Sequence, residues 1–110
     1  MQRTTASVSS GIVLCLSLAL PGSLLAEGDP AQLYKANCLV CHAADGSGNS
    51  PSGKALKAKD LRSDEVQKKS DGELADLITK GQGKMPPFGK KLKPEQIQQL
   101  VSYVRQLGKK

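Results

Sequence analysis

The chain has 110 residues, room for one small domain, and its 16 Lys and Arg outweigh 10 Asp and Glu to give a formal charge of +6. With no Trp, two Tyr and one Phe it is short of large apolar side chains, and a domain of this size then needs a disulfide, a metal or another staple. No internal repeat and no alternating apolar run long enough for a strand is present, which argues against all-β and βαβ architectures.

The first 26 residues have the order of a secretory signal: Arg3, then the apolar run Gly11 to Leu20, then small residues leading to a cleavage after Ala26. The run is short for a membrane span. Leu24, three residues before the cut, is larger than usual there, so retention of the segment as an anchor stays open. No twin-arginine pair is present, which points to export as an unfolded chain. Cys15 lies within the apolar run behind Val13 and Leu14 and reads as a bystander. Residues 27–110 keep every acidic residue and all basic ones but Arg3, and form the expected mature domain.

Three helices are expected there. The first runs from Pro30 to Val40, with Asp29 as N-cap and Pro30 at the first helical position. The second starts from the Ser70–Glu73 capping box, carries Leu74, Leu77 and Ile78 as its apolar stripe, and stops at Gly81. The third opens at Pro94, carries Ile97, Leu100, Val101, Val104 and Leu107 at helical spacing, and closes at Gly108. A shorter helical turn fits Ser63 to Lys69. Between them lie two loops, Ala43 to Gly53 and Gly81 to Lys93, rich in Gly with Ser and Asn in one and Pro and Lys in the other. The fold class is all-α, with three to four helices.

Cys38-Leu39-Val40-Cys41-His42 has the spacing of a c-type haem attachment site. Positions three and four apart share one helical face, so Cys38 and Cys41 reach two vinyl groups while His42 supplies the proximal iron bond. A zinc site calls for four ligands, and residues 27–110 hold two Cys and one His. A redox CxxC pair is expected beside a βαβ unit, and a plain disulfide leaves both His42 and the thin core unexplained. One covalently bound haem c is the cofactor expected.

Met85 is the sole methionine after the signal, and haem iron in electron-transfer proteins is commonly held by His and Met. Gly81 and Gly83 allow close backbone approach, and Pro86 and Pro87 stiffen the far side. Met85 is therefore the expected distal ligand. Core filling by Met85, iron ligation by Lys84 or another loop lysine, and an open sixth position are the alternatives.

The stretches Tyr34 to His42, Met85-Pro86-Pro87-Phe88 and Pro94 to Leu107 resemble class I c-type cytochromes, especially the short bacterial and photosynthetic-lumen types. The resemblance spans most of residues 27–110. It implies that the first and last helices cross, with the haem between the two loops; Leu33, Tyr34, Leu100, Tyr103 and Val104 are the groups available for the crossing. It also implies a proline carbonyl accepting from the proximal histidine, for which Pro51 is the candidate. The tryptophan that longer mitochondrial-type members set against a propionate is missing, leaving Arg62, Lys57, Lys59 or backbone groups for that role.

A His/Met haem has both iron positions filled and nowhere for substrate, so one-electron transfer is expected rather than catalysis. Lys80, Lys84, Lys90, Lys91 and Lys93 gather around Met85. Either they are a solvated surface, or they dock a redox partner with an acidic face. The expectation is an exported, monomeric carrier in a periplasm or thylakoid-lumen-like compartment, with no nucleic-acid partner and no stable membrane insertion. A haem-based ligand sensor with a labile sixth site, or a dedicated cytochrome subunit of a dehydrogenase or oxidase, are the rival functions.

Overall fold

Serine caps and prolines start the helices largely where the sequence signals them. The computed structural model describes residues 28–109, together with residues 5, 7 and 11–14. Among these residues six helices follow in order: α1 Pro30–Asn37, α2 Leu39–His42, α3 Pro51–Leu56, α4 Asp64–Gln67, α5 Asp71–Lys80 and α6 Pro94–Gly108. Among the described residues the sole extended pairing is an isolated Gln82–Met85 bridge.

The caps explain the boundaries. Asp29 accepts from the Ala31 amide, Ser63 from Val66 and Ser70 from Glu73, each covering an amide that the helix itself leaves bare. Gly81 ends α5 at φ +73°, ψ 171°, a conformation reserved in practice for glycine. Two boundaries differ from expectation. The first helix breaks at Cys38, whose φ of −118° separates α1 from α2; just before the break, the Asn37 side-chain Nδ2 donates to the Leu33 carbonyl, a local competitor to helical continuation. And α3 rises inside what reads as loop, because Ser50 caps the Gly53 amide and Pro51 takes the first helical position.

The core lies where α6 meets α1 and α5. Tyr34 and Leu100 are 2% and 1% exposed, and the Tyr34 and Tyr103 rings stand 4.8 Å apart at 39°, so the expected crossing of first and last helices is present. Leu74, Ile78, Ile97, Val101, Val104 and Leu107 complete the buried stripes of α5 and α6; burying each such side chain stabilises by about 1.5–3 kcal/mol. Arg105 staples α6 to the segment between α4 and α5. Its guanidinium donates to the carbonyls of Gln67 and Lys69 and to the Asp71 carboxylate. The Gln67 amide in turn donates to the carbonyls of Leu61 and Val104.

Ile12, Val13 and Leu14 are 88%, 84% and 77% exposed, outside the helical domain's core. The rest of the apolar run, Cys15 and the expected cleavage after Ala26 lie outside the described residues. Among those described, no helix is long and apolar enough to cross a membrane.

Candidate functional site

α2 is a single turn, and it carries the three residues singled out by spacing. Cys38 is its N-cap and Cys41 and His42 are its last two residues. Both thiols are free and partly buried. Burial, and then the neighbouring Cys41, push the Cys38 thiol up to about 11. A thiol so protonated at neutral pH is unlike the acidified cysteines of exchange enzymes. Among the described residues no three His, Cys, Asp or Glu side chains converge as a metal cage.

The His42 ring is held from behind. Its Nδ1 lies 3.0 Å from the Lys59 carbonyl, and a carbonyl only accepts, so Nδ1 carries the proton and the lone pair of the neutral ring sits on Nε2. That is the tautomer an iron-binding imidazole needs, with the second-sphere support metal-bound histidines ordinarily have. The supporting carbonyl is not that of Pro51. As the first residue of α3, Pro51 has its carbonyl directed along that helix, and Lys59 in the following loop supplies the acceptor instead.

The loop is fixed by close backbone contact. Ala58 N–H donates to Gly53 O at 2.8 Å and Leu61 N–H to Gly46 O at 2.7 Å. A side chain at Gly53 would collide with the Cys41 and Gly48 carbonyls, and one at Gly48 would lie 2.7 Å from the Ala58 carbonyl. Ser50 Oγ faces the Val40 and Cys41 carbonyls at 2.7 and 3.1 Å, joining the end of α2 to the start of α3.

Immediately after His42 the chain turns through Ala43 at φ 66°, ψ 167°. This region is essentially glycine's, and a side chain there costs about 1–3 kcal/mol. The Tyr34 hydroxyl donates to the Ala43 carbonyl at 2.6 Å, and Gly48 N–H donates to His42 O at 2.8 Å. Burial raises the Tyr34 phenol well above its ordinary value, with Cys38 adding, so it remains a neutral donor.

Met85 lies on the opposite loop, doubly bonded to Gln82 through N–H to O contacts of 2.9 and 3.0 Å. Gly81 permits this, since a Cβ there would stand 2.6 Å from the Met85 carbonyl and 2.7 Å from the Pro87 nitrogen. Gly83 has a positive φ but open space around it. The loop's far end is stitched to α5 by Phe88 N–H to Ile78 O and Gly89 N–H to Thr79 O, both 3.0 Å. Cys38, Leu39, Leu61 and Met85 all border the same core cluster partly buried, so the start of α2 and the Met85 loop lie against one apolar core.

The expected propionate cations are largely engaged elsewhere. Arg62 forks onto Asp60, with Nε–Oδ1 at 3.0 Å and Nη2–Oδ2 at 3.1 Å, and also reaches Asp45 at 3.6 Å. Hydrogen bonding to Arg62 in turn lowers the Asp60 carboxyl. Lys59 pairs with Glu65 at 3.2 Å. Of the lysines near Met85, Lys80 pairs with Asp76 at 3.8 Å and Lys91 lies 5.9 Å above the Phe88 ring, while Lys84 and Lys90 are exposed.

A family model described as cytochrome c oxidase, cbb3-type, subunit III matches residues 26–104. The cytochrome c6 of Gloeothece citriformis is 30% identical, over 100% of this chain and 98% of its own. The cbb3-type oxidase subunit FixP of Azorhizobium caulinodans is 36% identical over 87% of this chain, which spans 32% of that longer protein. The solved structure of the KustC0563 c-type cytochrome superposes with a TM-score of 0.67 at 35% identity, covering 73% of this chain and 98% of that one. The chain therefore belongs to the class I c-type cytochromes and carries electrons on covalently bound haem c.

Proposed function

We propose that Cys38 and Cys41 hold the haem through thioethers, that His42 and Met85 are its axial ligands, and that the chain shuttles single electrons between redox proteins without catalysis of its own. The observation that carries this reading is the His42 tautomer: the Lys59 carbonyl at 3.0 Å fixes Nδ1 as donor and leaves Nε2 free to bind metal. Haem iron, when bound, supplies the one-electron couple, and a thioether ligand raises its potential. Lys59 orients the imidazole through its backbone. Gly81 and the Gln82–Met85 bridge hold the methionine in its loop. Tyr34 of α1 and the buried stripes of α5 and α6 exclude water from one side of the site.

The exposed lysines 84, 90 and 91 flank Met85 and form the docking face for an acidic partner. Lys80, with the opposite charge of Asp76 at 3.8 Å, contributes less than its position in the sequence implies. The apolar segment before residue 27 serves export and is cleaved after Ala26, so that the domain works as a monomer in a periplasm or lumen-like compartment. The FixP match favours a second reading, a domain dedicated to one oxidase; stable copurification with an oxidase distinguishes it from a diffusing carrier.

Charge reversal tests the docking face. Lys84→Glu with Lys91→Glu is expected to slow bimolecular electron transfer to an acidic redox partner by about tenfold or more at low ionic strength. The difference should fade as salt shortens the Debye length to about 3 Å near 1 M. Stopped-flow rates across a salt series check it, and equal rates at low salt would count against docking at this face.

A further inference from the structure

Among the described residues two non-glycine residues have a positive φ: Lys57, at φ 56° and ψ 47° in the left-handed helical region, and Ala43, at φ 66° and ψ 167°, where an extended ψ makes the conformation essentially glycine's alone. It directly follows His42, so its dihedrals decide where the chain goes after the imidazole and how the histidine backbone is tilted. Such a conformation persists only where its surroundings over-determine it. Three hydrogen bonds do so: Ala43 N–H to Leu39 O at 2.9 Å, Gly48 N–H to His42 O at 2.8 Å and Tyr34 O–H to Ala43 O at 2.6 Å. The first two are local backbone contacts. The third comes from α1, from a side chain 2% exposed and stacked against Tyr103 of α6.

We infer that Tyr34 is a positioning residue for the iron centre: its hydroxyl clasps the strained Ala43 carbonyl and so keeps the His42 ring aligned on the Lys59 carbonyl. The clasp couples the α1–α6 crossing to the proximal side of the site. Without it the turn at Ala43 relaxes toward ordinary dihedrals and His42 swings, lengthening the Nδ1–H to Lys59 bond. That bond makes the imidazole a stronger donor. Weakening it favours ferrous over ferric iron, so the reduction potential rises. The inference rests on His42 as an iron ligand, which the parent holoprotein's low-spin spectrum tests separately, before any Tyr34 variant is made.

Tyr34→Phe keeps the ring and removes only the hydroxyl, and Ala43→Gly removes the strain. The test uses matured holoprotein of both single variants and the double variant. Tyr34→Phe should raise the reduction potential and speed exchange of the Gly48 amide by about tenfold, with no comparable change at Leu100 in the core. Ala43→Gly should stay near the parent potential. In its background Tyr34→Phe should lose more than half of its shift, because glycine holds the turn without the clasp. An unshifted potential in Tyr34→Phe overturns the inference, and so does a shift that survives by half or more in the double variant. If Tyr34→Phe alone yields no holoprotein, recovery with Ala43→Gly supports the clasp and failure in both backgrounds overturns it.

Discussion

Replacing Cys38 and Cys41 together with alanine is expected to abolish covalent haem, leaving no haem on the chain after denaturation. The two residues are the N-cap and third residue of one helical turn, both partly buried and outside any disulfide, with Cys38 packed against the core. Two thioethers from so short a turn fix the ring against His42, so one remaining cysteine should hold haem less securely and none should hold it covalently. The effect extends to stability. The aromatic content is one Phe and two Tyr, and a small domain with so few large side chains depends on its staple. In-gel haem staining and visible absorbance after denaturation provide the check. Normal haem retention in the double variant would sink the thioether assignment.

Gly81→Ala is expected to do comparable damage from the opposite loop. The new Cβ would lie 2.6 Å from the Met85 carbonyl, 2.7 Å from the Pro87 nitrogen and 2.8 Å from the Pro86 carbonyl carbon. All three are backbone atoms, and two belong to prolines that cannot pivot freely. Backbone strain at φ +73° adds about 1–3 kcal/mol. The loop must open, breaking the Gln82–Met85 bridge, and a total loss of about 3 kcal/mol or more lies at or above the upper end of what most substitutions cost. Gly83→Ala is the control: its φ is +58° but nothing stands within 4 Å, so it should lose about 1–2 kcal/mol. Denaturant unfolding of both variants measures the contrast. Equal losses would mean that contact with the Met85 segment does not set the requirement for glycine at 81.

Much of this was legible in the sequence because the signals were local. Ser70, Gly81 and Pro94 mark helix ends by the hydrogen bonds they make or cannot make, and the apolar spacing of α5 and α6 names their buried faces. That Cys38, Cys41 and His42 share one short turn followed from their spacing alone. What stayed hidden was carried by the backbone. The acceptor for His42 is the carbonyl of Lys59, and a carbonyl has no residue signature, so attention fell on Pro51, whose actual message was the start of α3. Arg62 offered a charge suited to a propionate, yet Asp60, two residues earlier, holds its fork. Ala43 gave no warning of a positive φ, since that conformation announces itself through glycine. The break at Cys38 was equally silent, because the apolar pattern continues through it.

The central claim is that iron is held between His42 and Met85, and the optical spectrum of matured holoprotein, oxidised and reduced, beside Met85→Ala tests it most directly. The expected parent spectrum is low-spin in both states, with a sulfur-to-iron charge-transfer band in the oxidised form that disappears in Met85→Ala while the haem stays covalently bound. An open-site spectrum already in the parent, unchanged by the substitution, would contradict the claim and make ligand binding the leading function.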